Sequence, residues 1–312
     1  QYINTPNLDK FMTESATFTH VYCQSPICTP SRASFLSGMY PSAVGVNGNG
    51  FLSFPEHNAE RLISNVLDRA GYDCGLIGKL HLASAFLRRE ERTDDGYGYF
   101  QYSHDHKGGN EMGNEYVEWV KQQGIDHNTI LKKRTIMSLE EYRNSQDNKG
   151  FGGFIEPTEE NDNVPPHLHQ THWCTEKAIE FINRNRPDMP WMLSINPFDP
   201  HPPFDAPYEY YKQYDPETMP GAHFEDGDLA HQQKLTDANI DFQNVARHPE
   251  DLEHKHLQAS YYAMIQFLDE EFGRIVDYLD ETGQRENTII IFMSDHGEML
   301  CDHGLLLKGC RF

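Results

Sequence analysis

Ile289-Ile290-Ile291-Phe292-Met293 is the longest apolar run in the chain. It is too short to cross a membrane and too continuously apolar for a strand with one wet face. It therefore predicts a strand over Thr288–Met293 buried on both faces, as in the parallel sheets of α/β proteins. The preceding segment agrees. Leu257, Tyr261, Met264, Ile265, Leu268, Phe272, Ile275, Val276 and Leu279 step by three and four, so a long helix spans His256–Leu279, and Gly283 caps it. The run then discharges into Ser294-Asp295-His296-Gly297-Glu298, at the strand end where open α/β sheets gather ligands.

The rest of the chain repeats this alternation. A helix is expected over Pro6–Ser15 with Thr5 as cap, then a strand over Phe18–Cys23. Pro30 suits a first helical position, which places Cys28 just ahead of a helix that Gly38 ends. Residues 39–59 read as loop, and Leu62, Ile63, Val66, Leu67 and Ala70 give Glu60–Ala70 a helical face. Tyr72–Ile77 is a strand that delivers Gly78-Lys79-Leu80-His81. Residues 83–170 are polar and weakly periodic, the profile of an insertion or lid rather than a core layer. Order returns with a helix at Trp173–Arg186 and a strand at Trp191–Asn196. The strand opens into Pro197-Phe198-Asp199-Pro200-His201-Pro202-Pro203, a proline-rich loop too stiff to wander.

Charge narrows the function. The 312 residues carry a formal net charge of −22, which argues against nucleic acid or an anionic membrane surface as partner. No apolar run approaches the length of a membrane span. The six cysteines lack C-x-x-C spacing, and Cys23 and Cys74 read as small core residues inside strands. Asp94-Asp95, followed by Gly96, reads as a turn, and His104-x-His106 and His167-x-His169 as solvated loop pairs. With no initiator Met and no polar tail, the chain reads as a fragment open at both ends.

An acidic protein that handles anions must concentrate its cations locally, and the motifs do so. Cys28 at a helix N-terminus faces free N–H groups, with Arg32 one turn on. Lys79 and His81 leave a strand tip, and His201 sits in the proline loop. Asp295 and His296 offer oxygen and nitrogen to a divalent cation, with Lys308 near in sequence. A thiol protease needs neither metal nor clustered Lys and Arg, and a simple anion-binding module needs no thiol. Together these residues favour metal-assisted attack on a sulfate or phosphate ester.

These segments resemble the formylglycine-dependent sulfatases of the alkaline-phosphatase-like superfamily. Cys28-Thr29-Pro30-Ser31-Arg32, continued by Leu36-Ser37-Gly38, matches that family's C-x-P-S-R-x-x-x-L-[ST]-G signature. Gly71-Tyr72 with Gly78-Lys79-Leu80-His81 resembles its second signature. Pro200-His201-x-Pro203-Phe204 and Ser294-Asp295-His296-Gly297-Glu298 with Asp302-His303-Gly304 and Lys308 match two more, and Thr5-Pro6-Asn7-Leu8-Asp9 fits the opening.

The resemblance implies a mixed, largely parallel central sheet flanked by helices on both faces, truncated at the first strand and the C-terminal subdomain. Residues 1–312 would be an incomplete catalytic domain, with 83–170 a lid shaping the substrate pocket. A maturation enzyme would oxidise Cys28 to formylglycine, whose hydrate supplies the nucleophilic oxygen at a bound Ca2+, with Mn2+ or Mg2+ as alternatives. Cys28, Asp295 and His296 would hold the metal, while Arg32 and Lys79 polarise and orient the formylglycine. His81 would assist deprotonation, His201 would protonate or hold the leaving oxygen, and Lys308 would grip the sulfate.

The sequence departs from the pattern in places. The two metal-binding aspartates of the family's first strand lie upstream of Thr5 and are not in this chain. Cys74 replaces Ser or Thr, Leu80 an aromatic residue and Cys301 a Gly. Two alternatives stay open: a phosphonate monoester or phosphodiester hydrolase of the same superfamily, and an inactive anion-binding fragment. Substrates in the family are sulfated small molecules or glycans, and family analogy points to a bacterial periplasm or exterior.

Overall fold

The computed structural model describes residues 2–85, 89–104, 113–126, 156–160, 164–184, 186, 188–238 and 246–309. His106, Cys310 and, within the expected lid, residues 86–88, 105–112, 127–155 and 161–163 lie outside the described residues. The helices are α1 Pro6–Glu14, α2 Cys28–Ser37, α3 Pro41–Val44, α4 Ile63–Arg69, α5 Glu115–Gln122, α6 Gln170–Ile182, α7 Tyr208–Tyr211, α8 Asp228–Asp237 and α9 His254–Glu281. The strands β1 Asp73–Gly78, β2 Tyr99–Tyr102 and β3 Trp191–Asn196 form a parallel sheet in the order β2-β1-β3. Gly78 is the last paired residue of β1, opposite Tyr102 on one side and Asn196 on the other.

Side-chain alternation along β1 builds a layer on each face of the sheet. Cys74 and Leu76 pack with Ala33 and Leu36 of α2, Phe54 and Leu62. Ile77 packs with Tyr116, Val117 and Val120 of α5 and Trp173, Cys174 and Ala178 of α6. Beyond α6, Leu257, Met264 and Phe267 of α9 form a further core with Phe204, Tyr210 and Tyr211. The expected α/β architecture, a parallel sheet with helices on both faces, is present.

Several local expectations change. The apolar run at 288–293 forms no strand: it has no ladder partner among the described residues, and Ile289 is 91% and Ile291 78% exposed. Phe18–Cys23 behaves the same way, so Cys23 is exposed while Cys74 is buried. A strand needs a neighbour, and composition cannot supply one. The polar stretch after 83 contributes β2 and α5 to the core, because Tyr99 and Tyr102 add aromatic surface beside β1. In α4, Ile63 and Val66 face outward, while Ser64 and Asn65 are buried and bond to the Asp95 and Asp94 carbonyls. That seats the expected turn at Asp94-Asp95, where the Asp95 carboxylate also accepts from Tyr97 N and Arg92. Thr5 does not cap α1. Asp269 of α9 reaches the free amides of Asn7 and Leu8 instead, at 3.1 and 2.7 Å.

Candidate active site

The site gathers at the C-terminal end of the sheet. Helix α2 begins at Cys28 itself, two residues before Pro30; at a third helical position Pro still forfeits no intrahelical bond. Ser31 N closes the first turn on Ile27 O, and Gly38, at φ 68°, ends the helix as expected. Asn49 Oδ1 accepts from Thr29 N at 3.0 Å, so the loop after α3 satisfies an otherwise free amide. Cys28 is only 1% exposed.

The 294–298 loop is bolted to α2. Arg32 Nε donates to Asp295 Oδ2 at 2.8 Å, and Ser31 Oγ donates to the Asp295 carbonyl at 2.5 Å. Cys28 Sγ lies 3.1 Å from His296 Nε2. His296 Nδ1 is 2.8 Å from Gly297 O, which only a protonated Nδ1 can satisfy, so Nε2 is the nitrogen turned to the cysteine. The metal-binding atoms of Cys28, Asp295 and His296 all lie within 4.8 Å of one another. Burial favours the neutral Asp295 carboxyl, yet the Arg32 guanidinium and neighbouring cations hold it below the usual carboxylate range.

The second wall comes from β1 and β3. Gly78 turns at φ 93°, and a Cβ there would lie 2.0 Å from Asn196 O, so only glycine lets the chain leave the sheet between the strands. Lys79 follows, fully enclosed; burial, then the nearby cations Arg32 and Lys308, lower its pKa to about 8 even though Cys28 opposes the shift. Burial and Lys79 lower His81 to about 4, which keeps the imidazole neutral. Burial alone would raise the Cys28 thiol. The Lys79 charge and hydrogen bonds with His201, His296 and His81 outweigh it and draw the thiol well below its usual range.

The proline-rich loop after β3 brings the third wall. His201 Nδ1 donates to Pro202 O at 2.8 Å, so Nε2 keeps its lone pair and faces Lys308 Nζ at 2.7 Å. Burial and the Lys308 charge lower His201 to about 3. Lys308 is carried by a turn in which Asp302 accepts from His223 N and His303 pairs with Asp228; those two motif residues shape the loop and stand outside the pocket.

All eight expected residues, Cys28, Arg32, Lys79, His81, His201, Asp295, His296 and Lys308, thus meet around one pocket, joined by hydrogen bonds and short-range charge interactions. Two more residues join them unannounced. Phe198 forms an aromatic floor, its ring 5.4 Å from Lys79 Nζ and 4.5 Å from the His201 ring. His104, expected in a solvated loop, follows β2 and lies 4.7 Å from the His81 ring; both its nitrogens are buried and without a partner among the described residues. The sequence hides this because a histidine after a short aromatic strand looks like any loop histidine. The other pair also differs: His167 is exposed, whereas His169 is buried and caps α6 by accepting from Thr171 N.

The order and identity of these residues agree with a match over nearly the whole chain, in which the family profile described as Sulfatase covers residues 1–309. The chain belongs to the sulfatase family. An arylsulfatase of Clostridium perfringens is 31% identical to this sulfatase chain over 317 residues, covering 100% of it and 62% of the relative. The multifunctional alkaline phosphatase superfamily protein PehA of Trinickia caryophylli is 28% identical over 332 residues, covering 98% of this chain and 60% of its own. The phosphonate monoester hydrolase of Agrobacterium radiobacter shares the fold with TM-score 0.72 and 23% identity, covering 100% of this chain and 61% of that one. The sulfatase chain therefore spans about three fifths of the length of these proteins.

Proposed function

We propose that this chain is the catalytic core of a sulfatase that hydrolyses an aryl or carbohydrate sulfate ester, with Cys28 matured to formylglycine by a dedicated enzyme. One convergence carries the reading: an oxidisable side chain, a carboxylate and an imidazole within 4.8 Å, ringed by Arg32, Lys79 and Lys308 buried in a protein of net charge −22. The donor set fits a divalent cation. His296 is oriented with Nε2 inward, Asp295 keeps Oδ1 beyond its bond to Arg32, and formylglycine would offer oxygen where cysteine offers sulfur. That replacement makes the set harder, in keeping with Ca2+, or Mn2+ or Mg2+ as alternatives. When bound, the ion supplies positive charge that acidifies the nucleophile and balances the sulfate.

The chain's own groups divide the remaining work. Arg32 and Lys79 orient residue 28 and stabilise negative charge beside it. The neutral His81 takes a proton from the residue-28 hydroxyl. Lys308 Nζ and His201 Nε2 share one proton, which can pass to the departing alkoxide while the Lys308 side chain faces the sulfate oxygens. Residues 83–170 are assigned the shaping of the substrate pocket, and β2 with His104 is the part of them nearest the chemistry. No helix among the described residues is long and apolar enough to cross a membrane, and a bacterial periplasm or exterior is the proposed setting.

The experiment is a comparison of rates on an aryl sulfate and an aryl phosphodiester, using full-length protein co-produced with a formylglycine-generating enzyme, with peptide mass spectrometry over Cys28. Conversion of Cys28 and preference for the sulfate support the reading. A large preference for the phosphodiester favours instead the alternative reading, a phosphonate monoester or phosphodiester hydrolase of the same superfamily. An unmodified Cys28 with no turnover of either ester marks an inactive remnant.

A further inference from the structure

Glu90 has no part in the motifs, yet it is 4% exposed and its carboxylate accepts consecutive backbone N–H groups from the loop that carries His81. Oε2 accepts from His81 N at 2.6 Å; Oε1 accepts from Leu82 N at 2.5 Å and Ala83 N at 2.8 Å. A carboxylate in such a nest is held by directed, charge-assisted bonds, and it fixes the backbone it binds. The loop needs fixing, because His81 adopts φ 57°, a left-handed conformation that costs a non-glycine residue about 1 kcal/mol.

The same turn is held from its other side. The Lys79 carbonyl accepts from Arg32 Nη1 at 2.9 Å and from Asn196 Nδ2 at 3.0 Å. Glu90 is itself anchored through its neighbour: Arg89 pairs with Glu115 at 2.7 Å and lies over the Tyr102 ring at 5.4 Å. Arg89 and Glu90 together thus link the end of β2 and the start of α5 to the backbone of the proposed base.

We propose that Glu90 is a positioning residue that sets the direction of the His81 imidazole toward residue 28. This rests on the sulfatase reading for the identity of the reaction, although the cradle itself does not depend on it. Glu90→Gln replaces one acceptor oxygen with an NH2 group that confronts backbone N–H donors, so the loop relaxes and His81 drifts. A displacement of about 1 Å in a reacting group costs up to about a hundredfold in rate.

The test is a double-mutant cycle in the full-length matured enzyme with Glu90→Gln, His81→Ala and the double variant, read on whichever ester the wild type turns over. The expected result is a fall in kcat of about ten- to a hundredfold for Glu90→Gln with KM nearly unchanged, and a double variant no slower than His81→Ala alone. Wild-type kcat in Glu90→Gln, or losses that multiply in the double variant, would overturn the inference. If Glu90→Gln does not fold, Glu90→Asp takes its place, with hydrogen exchange at the 81–83 amides as second readout. Faster exchange with lowered kcat supports positioning, and faster exchange with unchanged kcat refutes it. Failure of the sulfatase reading appears separately, as a wild type that prefers the phosphodiester.

Discussion

Lys308 Nζ lies 2.7 Å from His201 Nε2, across 107 positions of sequence. His201 Nδ1 is committed to Pro202 O, so the ring cannot reverse its polarity without losing that bond. The lysine charge and the burial of the ring together keep the imidazole neutral, with a pKa of about 3. Lys308→Ala removes one of these causes, so His201 should titrate at higher pH, as an NMR titration of the ring would register. Hydrolysis of esters with poor leaving groups should fall by about 10²–10⁴-fold, and aryl esters with good leaving groups should suffer least. Equal loss across all leaving groups would remove the pair from proton delivery.

Lys79 should set an alkaline limit to the proposed activity. Its ammonium, lowered to about 8 chiefly by burial, is lost as pH rises through that value. We expect kcat/KM to decline above about pH 8, and Lys79→Arg, whose cation does not titrate there, to lose that limb whatever its absolute rate. The stability term has the opposite sign. Between about 8 and the ordinary 10.5 the unfolded chain binds the proton and the folded chain does not, so this group's contribution to stability rises with pH. A pH–rate profile that stays flat to pH 9.5 would contradict the assignment.

His104 should cost stability, because both its ring nitrogens are buried and without a partner among the described residues. Buried nitrogens without partners cost about 1–3 kcal/mol, and His104→Phe removes them while keeping a ring of similar shape beside His81 and Phe198. The variant should resist urea better than the wild type and turn over substrate more slowly. A gain in stability with no loss in kcat/KM would make His104 a bystander.

The contrast between His104 and the eight expected residues shows where sequence reading succeeds. Cys28, Arg32, Lys79, His81, His201, Asp295, His296 and Lys308 are legible because they fall within short motifs whose residue types and spacing can be read along the chain. His104, Phe198 and Glu90 matter through contacts with residues distant in sequence, which no local pattern encodes. The fold divides in the same way. The strand ending at Gly78, the strand at Trp191–Asn196 and the long helix follow their sequence patterns to within a few residues of their ends. The 288–293 run departs from its pattern because apolar character states what a segment could bury and says nothing of whether a neighbouring strand lies beside it.

Arg32 serves two partners at once, Asp295 Oδ2 through Nε and the Lys79 carbonyl through Nη1. Arg32→Ala leaves a largely buried carboxylate uncompensated, a change that costs about 3–5 kcal/mol in comparable buried pairs. The Asp295 carboxyl should move up toward the usual range when its main opposing charge is gone. Its contribution to stability, present above the ordinary carboxylate pKa and lost as pH falls through the folded value, should therefore disappear at a higher pH than in the wild type. Arg32→Lys keeps the charge and loses the fork, so urea melts should place it between the two. Equal stability of all three proteins would show that the ion pair contributes nothing to the fold.

Gly78 and Gly38 both have positive φ, 93° and 68°, and they separate backbone strain from crowding. A Cβ at Gly38 meets nothing within 4 Å, so Gly38→Ala should cost only the left-handed penalty of about 1–2 kcal/mol. A Cβ at Gly78 would sit 2.0 Å from Asn196 O, on the strand that pairs with β1, and backbone cannot swing aside as a side chain does. Gly78→Ala should therefore be the more destabilising in urea melts, and any folded fraction should be catalytically poor, because Lys79 N bonds to the same Asn196 carbonyl at 2.8 Å. Moving that carbonyl displaces the ammonium that faces Cys28. If the two variants melt alike and Gly78→Ala retains wild-type kcat, the β1–β3 junction does not aim Lys79.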